Sequence, residues 1–215
     1  MSTVQISGIR FYPTEIKDLI VAWVALGIAF SIFIFVVIGR PPFPDPVREL
    51  ATPLFAEVFI VSMFTVGIGF LLHELAHKVV AIRFGQLAAF KADYGMLALA
   101  IGAAFAGFLF AAPGAVYHRG RITKRQNGLV SVAGPITNLI LAVLFLFLVP
   151  LSGILGDIGV LGVTINAFLA AFNMIPFGPL DGKKVLAWNK LVFVSIFILS
   201  VLFAISAFVF IGLPY

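Results

Sequence analysis

Long runs of apolar residues, separated by short polar connectors, dominate the hydrophobic pattern of the chain. A helix of about twenty apolar residues crosses the hydrocarbon core of a bilayer. Five runs of about this length predict spanning helices at residues 19–38, 57–81, 129–149, 158–177 and 191–211. A sixth candidate lies at residues 94–112. The pattern therefore predicts an all-α polytopic membrane protein with about five to six transmembrane helices, organised as one membrane-embedded domain over residues 1–215.

The segment 94–112 differs from the other runs in composition. Ala98, Gly102 and Ala106 are small residues at four-residue spacing, which suits close packing of helices. The apolar stretch that follows is interrupted by Pro113 and Gly114, a pair typical of a turn or an extended strand. We expect a re-entrant or membrane-embedded segment here, of helical or β structure, after the second helix.

Two features near the N-terminus concern the first helix and its connector. The first run is too long for a signal-peptide core and lacks a cleavage site, so it predicts an uncleaved membrane helix. The loop after it is rich in proline, which predicts a stiff, non-helical connection. These prolines are Pro41, Pro42, Pro44 and Pro46.

Composition agrees with membrane insertion. Of the 215 residues, 62% are hydrophobic and only 11% are charged, and the mean hydropathy is +1.16. Soluble domains are about 45–50% apolar and about 25% charged, so a soluble protein of this size could not bury so much apolar surface. The chain has no cysteine, which excludes cysteine nucleophiles, Cys-ligated zinc and iron–sulfur clusters.

The net charge of +5 indicates an orientation in the membrane rather than a nucleic-acid partner. The most basic stretch is 118–125, and three more lysines follow the fifth run, whereas the loop 150–157 has no Lys or Arg. If 94–112 does not span, the 14 Lys and Arg divide twelve to two in favour of the cytoplasmic side; if it spans, nine to five. The bias therefore favours the re-entrant alternative.

The second run contains the motif His73-Glu74-Leu75-Ala76-His77, which holds two of the three histidines of the chain. On a helix, positions i and i+4 share one face, so both imidazoles can bind one metal ion, with Glu74 as general base towards water. The alternative is two histidines satisfied by contacts within a helix bundle. Ionisable residues in membrane helices are costly and usually functional, which favours the metal site.

A catalytic zinc site usually has three protein ligands. The candidates for the third are Glu57, Asp93, His118, Asp157 and Asp181. Asp181 is favoured because prolines and glycines around it break the helix at the end of the fifth run, which lets a carboxylate turn inward. The alternative for Asp181 is a solvated acid paired with Lys183 or Lys184. We interpret His118 as a surface histidine beside the basic loop.

Depth in the membrane gives a further argument for Asp181. The helix from Glu57 to His73 is about 24 Å long, so His73 lies near the far end of its helix. Asp181 lies at the cytoplasmic end of the fifth run. The two residues meet only if the second helix runs towards the cytoplasm, which is the topology that the charge bias favours.

These residues resemble the site-2 protease family of zinc intramembrane proteases. The motif at 73–77 matches the first motif of that family. The segment 173–182, Asn-Met-Ile-Pro-Phe-Gly-Pro-Leu-Asp-Gly, matches its second motif. The segment 133–138 resembles the small-residue stretch that opens the central helix of the family. The resemblance covers about residues 57–184, in the right order.

The resemblance implies a role for each motif residue. His73, His77 and Asp181 would be the zinc ligands, Glu74 the catalytic base, and Asn173 a group that binds substrate or stabilises the oxyanion. Family members also carry a membrane-embedded sheet between the first motif and the central helix, a place that residues 86–117 occupy in this chain.

The leading hypothesis is an intramembrane zinc metalloendopeptidase that cleaves peptide bonds within transmembrane segments, as in regulated intramembrane proteolysis. We expect Zn²⁺ as cofactor, a transmembrane protein or peptide as substrate, and no nucleic-acid partner. We expect a multi-pass protein of the cell membrane with its active site towards the cytoplasm. The alternatives are a divalent-metal transporter, which shares a buried His, Glu and Asp cluster, and a non-catalytic membrane scaffold of the same fold.

Overall fold

The computed structural model describes residues 4–6, 8–38, 50–109 and 113–212. Seven helices are described over this part of the chain: α1 Pro13–Ile38, α2 Pro53–Arg83, α3 Tyr94–Phe105, α4 Lys124–Leu146, α5 Ile154–Asn173, α6 Asp181–Trp188 and α7 Lys190–Phe210. Four short strands complete the fold: β1 Val4–Ile6, β2 Ile9–Phe11, β3 Leu87–Ala92 and β4 Gly114–Arg119. The predicted proline-rich loop at 41–46 lies outside the described residues.

Five of the helices, α1, α2, α4, α5 and α7, are long and apolar enough to cross a membrane. They coincide with the five predicted runs, which confirms an all-α polytopic membrane protein. Within α2, residues Met63–Gly67 form a π-helical turn six residues before His73. Trp23 of α1 donates its indole N–H to the carbonyl of Met63 at this turn (2.9 Å), so the turn is held against α1.

The observed ends of the helices differ by several residues from the ends of the predicted apolar runs, because capping residues and prolines determine where a helix begins or stops. Helix α2 begins after Thr52, whose hydroxyl accepts the N–H of Phe55. Helix α4 begins after Thr123, which forms a capping box with Gln126. Helix α5 ends at Asn173, earlier than the predicted residue 177, because Pro176 disfavours helical backbone before it.

The segment between α2 and α4 holds both a helix and a small sheet. Helix α3 has 12 residues and is therefore about 18 Å long, too short for a bilayer core of about 30 Å. Strands β3 and β4 flank it and pair antiparallel, with Phe90 opposite Val116. The structure thus has a short apolar helix and a two-stranded sheet at the place where a non-spanning segment was predicted.

A second small sheet precedes the first helix and was not predicted. Strands β1 and β2 form an antiparallel hairpin with Gly8 at its turn, where φ is +81°. Strand β2 leads directly into α1. A strand of three residues is too short to show a recognisable alternation of apolar and polar positions.

Helix α4 is central to the bundle and packs against α2, α5 and α6. Small residues allow these close approaches: Gly162 of α5 lies against the ring of Phe145, and Gly128 of α4 lies against Trp188. A buried cluster of Val132, Met174, Val185 and Phe193 joins α4, the end of α5, α6 and α7. This packing fixes the position of α6, whose first residue is Asp181.

Candidate metal centre

Two histidine side chains project from α2 towards α4 and α6. His73 and His77 are one helical turn apart, both are buried, and their ring centroids are 4.7 Å apart. The spacing places both imidazoles on one face of the helix, as the sequence predicted. Their burial among apolar helices means that each polar ring atom needs a partner.

Asp181 reaches the histidines from the first turn of α6. Its Oδ2 atom lies 3.2 Å from Nε2 of His73 and 3.1 Å from Nε2 of His77. The chain can turn here because Gly182 packs directly against the carbonyl of Met174 at the end of α5, where a Cβ atom would collide. The broken helix therefore places a carboxylate beside two imidazoles, as predicted.

The donor atoms of His73, His77 and Asp181 fit one metal ion. They form the group of possible ligands found in the described part of the chain, with all ligand atoms within 4.8 Å of one another. Ligands about 2.0–2.1 Å from a tetrahedral zinc are separated by about 3.3 Å. The two separations from Asp181 to the imidazoles, 3.1 and 3.2 Å, are close to this value.

The other ring nitrogen of each histidine is held by the protein. Nδ1 of His77 donates to the backbone carbonyl of Val130 (2.7 Å). Nδ1 of His73 lies 2.5 Å from Oδ1 of Asn138. Histidines that bind metals usually make such a hydrogen bond through the nitrogen away from the ion, because it fixes the ring and its tautomer. Both Nε2 atoms are thereby left to face Asp181.

Gly134 of α4 gives the two imidazoles their space. A Cβ atom at this position would lie 2.5 Å from Nε2 of His73 and 2.6 Å from Nε2 of His77. Separations below 3.0 Å are not tolerated by real Cβ atoms. Any larger residue would therefore collide with the Nε2 atoms of both histidines.

Glu74 lies beside the histidines and contacts the second sheet. Its Oε2 atom accepts the backbone N–H of Val116 in β4 (3.0 Å). Phe90, opposite Val116, turns its own N–H away from β4 and donates it to Glu15. Val116 thus belongs to a pair without ladder hydrogen bonds, and its N–H lies on the edge of β4 that faces away from β3 and towards Glu74.

A cavity of about 350 Å³ connects these groups. Apolar side chains of α1, α2 and α5 line one part of it, including Phe30, Phe70 and Phe168. The polar part is lined by the metal-binding group, Glu74, the edge of β4, Asn173, His118 and Lys184. The arrangement can hold an apolar extended segment beside a carboxylate and a metal ion.

Not all predicted candidates meet at this centre. Asn173 lines the cavity from the end of α5, and one N–H of its amide donates to the carbonyl of Leu169 (3.0 Å). Asp93 caps α3 by accepting the N–H of Met96. Glu57 and Asp157 are also outside the metal-binding group of the described residues.

His118 differs from its interpretation as a surface histidine. It lies in β4, is partly buried and lines the cavity, although it is outside the metal-binding group of the described residues. Burial, together with Lys184 and His77, lowers the pKa of His118 below its ordinary value. Its imidazole is therefore neutral at pH 7.

The carboxyl group of Asp181 is ionised at neutral pH. Burial alone would raise the pKa of its carboxyl group, but His77 and His73, by charge and hydrogen bonding, hold the pKa well below its usual range. A lowered pKa means that the carboxylate stays charged throughout the neutral range. It is thus available as a metal ligand without first losing a proton.

Several contributors to the site were missed at the level of sequence. Asn138 touches His73, the carbonyl of Val130 touches His77, and the N–H of Val116 touches Glu74. For Asn138 a signal existed, because an amide in the middle of an apolar run is costly and needs a partner. The two backbone groups cannot be recognised from residue types, because nearly every residue carries the same groups.

The fold and the site together define a class: a polytopic membrane protein with a buried His, His and Asp metal-binding group and a glutamate beside it. Two known proteins are similar to this chain. One is "Putative zinc metalloprotease MJ0611" of Methanocaldococcus jannaschii, 38% identical over 188 residues, which cover 85% of this chain and 88% of that protein.

The second is "Putative zinc metalloprotease YwhC" of Bacillus subtilis, 35% identical over 164 residues, which cover 65% of this chain and 72% of that protein. No protein-family model matches the chain, and no solved structure matches it. The identities and coverages show that the chain belongs to the zinc metalloprotease family of these two relatives.

Proposed function

We propose that this protein is an intramembrane zinc protease of the site-2 protease type, which cleaves peptide bonds within transmembrane segments of membrane proteins. One observation carries the proposal. Glu74, the metal-binding group and the edge of β4 opposite β3 all line one largely apolar cavity inside a bundle of membrane-length helices. Such an apolar cavity suits an apolar, membrane-spanning substrate better than a water-soluble one.

Zinc is the metal that the donor set and the family support. His73, His77 and Asp181 would hold the ion through two imidazole nitrogens and one carboxylate, a ligand set found in catalytic zinc sites. Three protein ligands leave one position open for the reaction. A bound zinc ion would act as a Lewis acid towards a peptide carbonyl and would lower the pKa of water.

Glu74 is the group that would accept and return a proton. Its Oε2 atom accepts the N–H of Val116, which orients the carboxylate at the wall of the cavity and leaves Oε1 without that bond. In the proposed reaction Oε1 takes a proton from the attacking water. The same carboxylate then delivers this proton to the nitrogen of the leaving amine.

Strand β4 and Asn173 are proposed to hold the substrate. A transmembrane helix must unwind before a peptide bond within it can be attacked, and an edge strand can bind the unwound backbone by strand addition. Gly114, Val116 and His118 line the cavity along this edge. Asn173 has a second amide N–H that could donate to the oxyanion of the reacting carbonyl.

We infer an orientation in the cell membrane from the distribution of charge. His118 and Lys184 line the same cavity as the metal-binding group, and both lie close in sequence to basic residues. Because basic residues favour the cytoplasmic side, the active site is proposed to open towards the cytoplasm.

The experiment compares three variants with the wild type in proteoliposomes that contain labelled single-span peptides. We expect Glu74→Gln to keep about one zinc ion per chain but to lower the cleavage rate by about 10²- to 10⁴-fold, since a positioned general base contributes this much. Asp181→Ala is expected to lose the zinc. The matched control is Glu57→Gln, which alters a glutamate of the same helix outside the site and is expected to cleave normally.

Other outcomes would point to other functions. Cleavage by Glu74→Gln at the wild-type rate would refute the proposed mechanism. Flux of a divalent metal into the vesicles that is unaffected by Glu74→Gln would support a transporter instead. Stoichiometric zinc without cleavage of any peptide in the set would support a non-catalytic scaffold.

A further inference from the structure

A chain of buried hydrogen bonds connects α5, α4 and α2 behind the metal-binding group. Nδ2 of Asn166 donates to the carbonyl of Gly162 (2.9 Å), and Nδ2 of Asn138 donates to Oδ1 of Asn166 (2.9 Å). Oδ1 of Asn138 lies 2.5 Å from Nδ1 of His73. Both asparagine side chains are fully buried, and neither has a role in the proposed reaction.

The direction of these hydrogen bonds is set by two backbone carbonyls. The carbonyl of Gly162 can only accept, so the amide nitrogen of Asn166 faces it and Oδ1 of Asn166 faces Asn138. The carbonyl of Gly69 also accepts from Nδ2 of Asn138 (3.2 Å). Asn138 therefore has two acceptors on its nitrogen side, which leaves its oxygen towards His73.

The consequence is a defined tautomer of His73. An amide oxygen can only accept, so Nδ1 of His73 must carry a proton, which leaves Nε2, 3.2 Å from Oδ2 of Asp181, as the nitrogen that can bind a metal ion. His77 reaches the same state more directly, through the carbonyl of Val130. The opposite tautomer of His73 would place a proton where the metal ion binds.

The packing of α2 against α5 supports this chain. A Cβ atom on Gly69 would collide with the amide of Asn166, so the absence of a side chain at position 69 allows the two helices to approach. The same residue supplies the carbonyl that accepts from Asn138. The position of Asn166 therefore depends on the contact between α2 and α5.

We propose that Asn138 and Asn166 are positioning residues that hold His73 in its metal-binding tautomer, so that the contact between α2 and α5 sets the affinity of the site for zinc. The inference rests on the metal site of the proposed function but not on proteolysis. An outer contact of this kind usually changes metal affinity by about 10- to 100-fold.

The test measures zinc affinity of the detergent-purified chain by competition with a chromophoric chelator. We expect Asn138→Leu to weaken zinc binding by about 10- to 100-fold. Asn138→Asp keeps an acceptor for His73 and is expected to bind zinc more tightly than Asn138→Leu does. Asn166→Leu, which leaves Asn138 with one carbonyl acceptor, is expected to fall between the wild type and Asn138→Leu.

A second readout reports the tautomer itself. The chain has three histidines, so ring ¹⁵N chemical shifts of the metal-free protein can be assigned with single substitutions. In the wild type and in Asn138→Asp we expect His73 to carry its proton on Nδ1. In Asn138→Leu we expect the Nε2–H tautomer to become populated.

A control variant distinguishes the positioning role of Asn138 from a general loss of stability on removal of a buried hydrogen bond. Thr65→Val removes a fully buried hydroxyl of α2, which donates to the carbonyl of Val61 and does not touch His73. It is expected to lower the melting temperature while zinc affinity and the His73 tautomer stay unchanged. Loss of zinc affinity in this control would mean that stability alone accounts for the effect.

Two results would overturn the proposal. One is a folded Asn138→Leu protein that keeps the Nδ1–H tautomer of His73 and binds zinc within about twofold of the wild type. If Asn138→Leu does not fold, the other is Asn138→Asp with His73 in the Nε2–H form. Neither readout uses cleavage, so a failure of the proposed protease activity would leave this test intact.

Discussion

Gly134 shows how a single residue can decide whether a metal site exists. It lies in α4 opposite the Nε2 atoms of His73 and His77, at distances that leave no room for a Cβ atom. The glycine does not serve a turn here; it keeps volume empty between two helices. Small residues in membrane helices usually serve helix packing, and this one serves the site as well.

We expect Gly134→Ala to abolish stoichiometric zinc binding, because the added methyl group would occupy the space between the imidazoles. Elemental analysis of the purified variant measures this directly. The matched control is Gly102→Ala in α3, where a Cβ atom would meet nothing within 4 Å. The control is expected to retain zinc and to gain up to about 1 kcal/mol of stability from helix propensity. Full zinc content in Gly134→Ala would contradict the geometry described above.

Strand β4 is the element that connects the metal centre to the proposed substrate. Its backbone rather than its side chains makes the connection, since the N–H of Val116 donates to Glu74. A β-strand whose partner lies on one side only has hydrogen-bonding groups available on the other. The strand can therefore orient the carboxylate of Glu74 and, in the proposed function, present an edge to the substrate.

We expect Val116→Pro to lower the cleavage rate by about ten- to hundredfold with zinc retained, since proline removes the donor to a charged acceptor. Val116→Ala keeps the N–H and is the matched control, with an expected rate close to that of the wild type. Cleavage kinetics and zinc content of both variants check this. A normal rate in Val116→Pro would show that the contact with Glu74 does not matter.

At the scale of the whole molecule, a buried ion pair joins the N-terminal hairpin to the helix of the metal site. Lys78 and Glu15 are almost completely buried, and Nζ lies 2.5 Å from Oε1. Lys78 also donates to the carbonyl of Arg10 in β2, and Glu15 accepts the N–H of Phe90 in β3. Four elements, β2, α1, α2 and β3, therefore meet at one polar contact.

We expect Lys78→Met to destabilise the protein by about 3–5 kcal/mol, because it leaves the charge of Glu15 buried without a partner. Thermal unfolding in detergent measures the effect. The double variant Glu15→Gln, Lys78→Met removes both charges and keeps an acceptor for Phe90, so it is expected to be more stable than the single variant. Lys91→Met, at an exposed lysine of β3, is the control and is expected to change stability by less than about 0.5 kcal/mol.

The sequence was sufficient for those features that depend on neighbouring residues. Membrane helices are recognisable because about twenty consecutive apolar residues are long enough to cross the bilayer. A helix of this length pairs its own backbone polar groups, independently of the rest of the chain. The pairing of His73 with His77 follows from helical geometry alone. The break before Asp181 was predictable too, because proline and glycine disrupt a helix wherever the fold places them.

Contacts between distant segments could be recognised only in the tertiary structure. Among five acidic or histidine candidates for the third ligand the sequence favoured Asp181, and the packing of α6 against α4 and α7 brought it to His73 and His77. The empty space at Gly134 and the backbone donor at Val116 depend on how helices and strands approach one another. Such contacts arise from close packing of the whole chain, which no local pattern of residues encodes.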